Sequence, residues 1–323
     1  MKDKEVLLSG VKPTGRPHIG NYFGAMRQFV ELQVEYRPFI FIADYHALTT
    51  VQNRVEMEEN ILGVALDYLA IGLNPSDVTL YKQSDVRLAT ELAWIFGCLT
   101  TVPYLMRAHA FKDAEAKNKE INVGVFNYPM LMAADILLFN ADVVPVGQDQ
   151  KQHIEITRDT AEKFNRIFGD TFKLPTPLIL TEVEMVPGTD GRKMSKSYGN
   201  TIPLFAEPDE IRFLVMGIVT DSKSAEEPKD PDACNIFALH TLVSGKDLPE
   251  ITRRYHEGGI GYKESKEILI ENMSNYFKPM REYRKELAED TSEVYKILAE
   301  GGEKARAIAE ETMRDVRQKI GVA

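Results

Sequence analysis

The chain has 323 residues, long enough for one large core and a smaller second one. Its 44% hydrophobic content excludes global disorder, and its net charge of −10 argues against a protein that coats nucleic acid indiscriminately, although a local basic stripe can still grip a polyanion. Its two cysteines, Cys98 and Cys234, lie too far apart in sequence for a short chelating pair, which leaves disulfide frameworks and protein-held zinc or iron–sulfur sites unsupported.

The charged start Met1-Lys2-Asp3-Lys4-Glu5 runs into only three apolar residues, which is no signal peptide, and no later run approaches a membrane span. A soluble cytoplasmic protein without a membrane partner is the expectation. Val6-Leu7-Leu8 predicts a short buried strand ending at Ser9-Gly10, and the glycine- and proline-bearing stretch to Asn21 predicts a shaped loop. From Asn21 the pattern turns helical, with Tyr22, Met26, Phe29 and Val30 on one face. Phe39-Ile40-Phe41-Ile42-Ala43 predicts a strand covered on both sides. A helix carrying Ile61, Ala65 and Leu69 follows, then a strand at Val78-Thr79-Leu80-Tyr81. Cys98, within Trp94-Ile95-Phe96-Gly97-Cys98-Leu99, reads as a small buried residue. Val143-Val144-Pro145-Val146 predicts one more strand, leading through Gly147 into a helix with Ile154, Thr157, Ala161, Phe164 and Phe168.

Strand–helix alternation of this kind predicts an α/β fold with a doubly wound parallel sheet, Rossmann-like in type, with ligands at the carboxyl ends of the strands. The loops at 9–21, 44–48 and 147–150 belong there. Past about residue 205 the patterns are helical, and 222–233, charged and with two prolines, predicts an exposed loop. The expected organisation is a catalytic α/β domain over 1–205 and an all-helical domain over 206–299, with the C-terminal helix, about 300–323, packing back on the first domain.

Two segments carry phosphate chemistry. In Gly10-Val11-Lys12-Pro13-Thr14-Gly15-Arg16-Pro17-His18-Ile19-Gly20-Asn21, glycines let backbone N–H groups approach an anion and the following helix adds its positive end. It is neither a Walker A loop, since Arg16-Pro17 follow Gly15, nor a Gly-x-Gly-x-x-Gly fingerprint. In Gly191-Arg192-Lys193-Met194-Ser195-Lys196-Ser197-Tyr198-Gly199, two lysines among hydroxyls form a cationic loop able to close on a leaving pyrophosphate. Either segment alone also fits an ordinary turn or a solvated basic loop. Together, His18-Ile19-Gly20-Asn21 and Lys193-Met194-Ser195-Lys196-Ser197 resemble the two signatures of class I aminoacyl-tRNA synthetases. Asn21 replaces the commoner final histidine of the first, as tryptophan enzymes often do.

A third stretch, Tyr128 to Phe139, places one carboxylate, Asp135, in an otherwise apolar helix. A buried acid needs a donor, and an acceptor-only carboxylate suits the single N–H of an indole. Met132 lies one turn earlier on the same face. An internal salt bridge or a cap for a neighbouring loop is the competing reading. The stretch resembles the specificity helix of bacterial tryptophanyl-tRNA synthetases, and Val144 to His153 resembles their adenosine-binding turn.

The resemblance implies the following. Tryptophan is held by Leu8, His46, Tyr128, Met132, Asp135, Ile136 and Gln150. ATP is held by Lys12, Pro13, Thr14, Gly20, Asn21, Gly147, Gln148, Asp149, Val186, Lys193, Met194, Ser195, Lys196 and Ser197. His18, Asn21, Lys112, Lys193 and Lys196 serve catalysis. ATP comes with Mg²⁺ bound to its phosphates; tRNA(Trp) is the macromolecular partner, and the protein is a homodimer. Lys12 stands where many bacterial relatives carry glutamine, and Gln148 where many carry glutamate. The family reads the anticodon in the helical domain, where Lys278, Arg281, Arg284 and Lys285 offer candidate basic faces that also suit a solvated helix surface. Tyrosyl-tRNA synthetase, a small-molecule adenylyltransferase and a non-catalytic tRNA-binding paralogue are the alternatives; an adenylyltransferase would not need the helical domain, and a non-catalytic paralogue would not need these catalytic residues.

Overall fold

The computed structural model describes residues 4–108, 111–112, 115, 121–147, 150–179 and 186–323. Five parallel strands, β1 (Val6–Val11), β2 (Arg37–Ile42), β3 (Thr79–Lys82), β4 (Val143–Val146) and β5 (Thr176–Ile179), form one sheet in the order β3-β2-β1-β4-β5. Successive side chains of a strand face opposite sides. Leu7, Ile40, Ile42 and Leu80 accordingly join one core cluster, while Leu8, Phe39, Phe41, Tyr81 and Val144 join another. Both faces are dry, which explains the unbroken apolar run of β2. The chain builds outward from β1 to β3, returns to the centre, and builds the other way through β4. That reversal opens a crevice beyond the carboxyl ends of β1 and β4.

The doubly wound parallel sheet is the one the strand–helix alternation predicts. Local boundaries differ. β1 continues to Val11, and helical structure starts at Ile19: one α-turn (Ile19–Asn21), a π-helical stretch (Tyr22–Met26), then α-helix again (Arg27–Leu32). The segment expected as a loop at 44–48 is a helical turn, Asp44–Ala47. Cys98 is exposed, not buried. The buried face of helix Leu88–Leu99 is made by Leu88, Ala89, Leu92, Ala93 and Phe96, and Cys98 lies off that face, as does Trp94 at 75% exposure.

From Pro208 onward every regular element is helical. Helices Tyr262–Glu289 and Ser292–Ile320 send Leu269, Met273, Phe277, Val294 and Leu298 into the first core cluster. Further along, Ala305, Ala309, Met313 and Val316 enter the second. The last helix thus spans both sides of the sheet edge. It crosses β3 at Gly301, where an added Cβ would lie 1.9 Å from the Leu80 carbonyl oxygen, so only glycine permits this approach, and the helix covers an edge strand that would otherwise be open.

Three charged groups run against expectation here. Arg281 is 6% exposed, bonds the Ala206 carbonyl at 3.2 Å and lies 3.8 Å from Glu207, so it is an internal tie and not a solvated cation. Arg284 pairs with buried Asp67 at 2.5 Å, joining helix Tyr262–Glu289 to helix Arg54–Ala70. Lys229, inside the expected exposed loop, is buried; its Nζ donates to the Ser224 and Glu227 carbonyls at 2.7 and 3.2 Å and sits over the Tyr262 ring.

Candidate active site

The loop after β1 and the lysine loop meet through their backbones. Ile19 N donates to Ile202 O and Leu204 N donates to Pro17 O, both at 3.0 Å, with an antiparallel bridge between His18 and Pro203. The lysine loop leaves and returns as a hairpin, Pro187 bridging Lys193 and Met194 N donating to Val186 O at 3.0 Å. Met194 is its anchor, buried in the cluster that holds Ile19, Val186 and Ile202. Because Met194 points inward, Lys193 beside it is left exposed. Lys196 reaches back across the crevice and donates to the carbonyl oxygens of Thr14 and Gly15 at 2.7 and 3.1 Å. Gly15 has a positive φ of 77°, the left-handed backbone that glycine adopts freely.

His18 caps the helical turn at Ile19. Its Nδ1 accepts from Asn21 N at 3.3 Å, and Asn21 Oδ1 accepts from His18 N at 3.0 Å. The pair is a reciprocal capping box in which the replaced motif position holds the loop's shape. Burial and then the nearby Lys196 cation push the His18 imidazole down to about 4, so at neutral pH it is uncharged and keeps one N–H to offer. Gly20 lets the loops touch: a Cβ there would come within 2.9 Å of His18 Nδ1 and 3.4 Å of Met194 Cβ. Lys12 Nζ donates to Thr49 Oγ1 at 3.0 Å, its ammonium pulled below its usual range by desolvation. Pro13 is buried beside it, whereas Thr14 and Ser197 are exposed.

Beyond the ends of β2 and β3 lies the acid. Asp135 is buried on helix Val123–Leu137 and receives Gln83 Nε2 at 2.9 and 2.8 Å on its two oxygens, with His46 Nε2 at 2.9 Å from Oδ2. Burial pushes its carboxyl up, opposed by the His46 and Gln83 contacts. Among the described residues no arginine pairs with this acid; its partners are His46 and Gln83, a histidine–glutamine clamp. A carboxylate has about four acceptor sites and these partners occupy at most three, which leaves room for one further donor. Tyr128 packs edge-on to His46 and hydrogen-bonds His153 Nε2. Leu8, Ile136 and the partly buried Met132 belong to the apolar cluster around it.

Gly147 is exposed at the end of β4, and Gln150 precedes helix Lys151–Phe168. Gln148 and Asp149 lie outside the described residues. Lys112 is exposed, and no hydrogen bond or ion pair among the described residues ties its side chain to the groups above. Three supporting residues escape a reading of motifs alone. Gln83 clamps Asp135. Asp44, buried after β2, binds Ser84 N at 3.0 Å and Ser84 Oγ at 2.5 Å and so fastens the β2 and β3 loops together. Asn200 braces the lysine loop. Gln83 and Asp44 each follow the carboxyl end of a strand, the one signal that points to them.

A family model for class I tRNA synthetases (W and Y) matches residues 2–278. The chain belongs to that family. Within it, the likeness spans nearly the whole of two bacterial tryptophan–tRNA ligases: 48% identity to that of Rhodopirellula baltica, covering 98% of this chain and 99% of the relative, and 49% to that of Fusobacterium nucleatum, covering 98% and 97%. The tryptophanyl-tRNA synthetase of Campylobacter jejuni, solved with ADP and tryptophan, superposes with a TM-score of 0.93 at 45% identity, covering 98% of this chain and 99% of that one.

Proposed function

We propose that the chain activates L-tryptophan with ATP and loads it onto tRNA(Trp), the reaction of a tryptophan–tRNA ligase. The observation that carries this reading is the docking of Lys196 on the Thr14 and Gly15 carbonyls at the crevice where the sheet reverses, in a fold where His46 and Gln83, following β2 and β3, clamp Asp135 of helix Val123–Leu137. The likeness to the Campylobacter jejuni enzyme with ADP and tryptophan supports it.

In the first step a tryptophan carboxylate oxygen attacks the α-phosphorus of ATP. The bond to the bridging oxygen breaks, and pyrophosphate leaves with that electron pair. In the second, a terminal ribose hydroxyl of the tRNA attacks the adenylate carbonyl and AMP departs. Neither step needs a protein nucleophile, so the protein contributes position and charge. Asp135 accepts the indole N–H, with Tyr128, Met132, Leu8, Ile136 and Gln150 around the amino acid. The neutral imidazole of His18 donates to a phosphate oxygen, and Asn21 holds that loop's shape. Lys193 and Lys196 neutralise charge gathering on the departing pyrophosphate, and Lys112 reaches the phosphates. Val186 contacts the adenine, Met194 anchors the ATP-binding lysine loop, Gly147, Gln148 and Asp149 hold the ribose, and Lys12 adds a cation near the phosphates.

Mg²⁺ rides on the ATP phosphates as part of the substrate, held by phosphate oxygens and water. The helical residues 206–299 read the anticodon, the enzyme works as a homodimer, and it acts in the cytoplasm. Among the described residues, no helix is long and apolar enough to cross a membrane.

Amino-acid-dependent ATP–pyrophosphate exchange tests the proposal. Tryptophan should support exchange at least about 10³-fold better than tyrosine or phenylalanine, since a site built around a specific hydrogen-bonding group rejects analogues lacking it by roughly 10⁴–10⁵. Exchange driven by tyrosine would replace this reading with tyrosine activation. No exchange with any amino acid, alongside intact tRNA binding, would make the chain a non-catalytic relative.

A further inference from the structure

The side chain of Asn200 is buried at the root of the lysine loop, and its amide is used on both sides. Its Oδ1 accepts from Ser195 N at 2.8 Å, and its Nδ2 donates to Asp190 Oδ1 at 2.6 Å and to Lys193 O at 3.2 Å. Its backbone carbonyl accepts from Thr189 N at 3.0 Å. Gly188 makes room for this: a Cβ there would sit 2.2 Å from Asn200 Nδ2. Asp190, held down to about 2 first by the Asn200 amide and then by Arg192, pairs with Arg192 at 2.6 Å, and Arg192 lies over the Tyr198 ring at 4.4 Å.

We propose that Asn200 is a positioning residue for adenylate formation, fixing the backbone on both flanks of Met194 and thereby the spacing of Lys193 and Lys196. Its side-chain bonds all end within residues 190–195, so they hold that stretch in one shape around the buried Met194. Lys193 and Lys196 then leave a preformed backbone, and part of the cost of ordering two long cationic side chains at the reacting phosphates is met before ATP arrives. Only an amide does this in the observed geometry, because one face must accept from Ser195 N while the other donates to Asp190 and the Lys193 carbonyl. An aspartate of the same size keeps the acceptor, loses both donations and places its charge against Asp190.

The inference rests on the role given above to Lys193 and Lys196, and the experiment separates the two. Asn200→Ala, Asn200→Asp and Lys196→Ala are compared for the rate of tryptophan-dependent adenylate formation and for equilibrium tryptophan binding. The two Asn200 variants should slow activation by roughly 10²-fold, the penalty of an ångström-scale misplacement, while the tryptophan Kd stays within about twofold. In a Lys196→Ala background the Asn200→Ala effect should shrink markedly, because one of the two positioned lysines is gone and their spacing no longer matters. An equal fold loss in both backgrounds, or a tryptophan Kd rising in step with the lost rate, would mark Asn200 as merely structural and overturn the proposal. A variant that fails to bind tryptophan at all counts the same way. Full activity in Lys196→Ala alone would instead remove the loop reading itself.

Discussion

Replacing Lys196 with alanine should slow tryptophan activation by roughly 10²–10³-fold, the usual cost of deleting one preorganised charge-stabilising group, and leave tryptophan binding unchanged within about twofold. The lysine emerges from a short turn at Lys196–Tyr198 whose neighbour Met194 is locked in the core, so the stem is fixed while the ammonium crosses the crevice. That ammonium rests on the carbonyl oxygens of Thr14 and Gly15, neutral acceptors that a triphosphate can outcompete by charge. Partial desolvation pulls its pKa down while Asp67 works in the opposite direction. It touches neither Asp135 nor its clamp, which is why the effect should fall on kcat and spare the amino acid. Stopped-flow or rapid-quench measurement of adenylate formation, beside equilibrium tryptophan binding, checks the split. Loss of both in equal measure would deny Lys196 this role.

The second large effect is expected from Asp135→Asn. An asparagine has the same shape but presents an NH₂ where an acceptor stood, and Gln83 Nε2 donates to both of the native oxygens. Donor then faces donor, and the position left for the indole N–H loses its charge. A hydrogen bond to a charged group contributes about 1.5–3 kcal/mol, so the tryptophan Kd should rise roughly 10- to 150-fold. The KM for ATP should move less than about twofold, because the phosphate loops lie on other strand ends. Exchange assays with tryptophan, tyrosine and phenylalanine read both quantities. Unchanged preference for tryptophan in Asp135→Asn would show that something else recognises the ring.

The central strands were legible because residues buried on both faces make continuous apolar runs, and β1, β2 and β4 sit where those runs are. β5 was missed for a physical reason. Thr176-Pro177-Leu178-Ile179 is short, only partly buried, and contains a proline that a sheet tolerates at its edge. Cys98 shows the opposite error: its apolar neighbours suggested burial, but in a helix the face decides and the local composition does not. Arg281 misled in the same manner, since a cation on a long helix reads as solvated until Ala206 and Glu207 arrive from another element.

At the site, the glycine-bearing loop and the lysine loop stand out through their joint resemblance to two family signatures, and Asp135 through the cost of burying an acid in an apolar helix. Their partners could not. Gln83 reaches Asp135 from 52 residues away, and Lys196 reaches Thr14 from 182 residues away through a carbonyl oxygen that any residue would supply. Asn200 likewise looks like an ordinary polar residue after a glycine until the hairpin folds around it.

A crystal structure with tryptophan and a non-hydrolysable ATP analogue is the most direct trial of the whole scheme. Lys196 should have left the Thr14 and Gly15 carbonyls for a phosphate oxygen, His18 should lie within hydrogen-bonding distance of the triphosphate, and the indole N–H should point at Asp135 between its His46 and Gln83 contacts. A nucleotide bound away from His18 and Lys196, or an indole whose N–H is satisfied without Asp135, would contradict it.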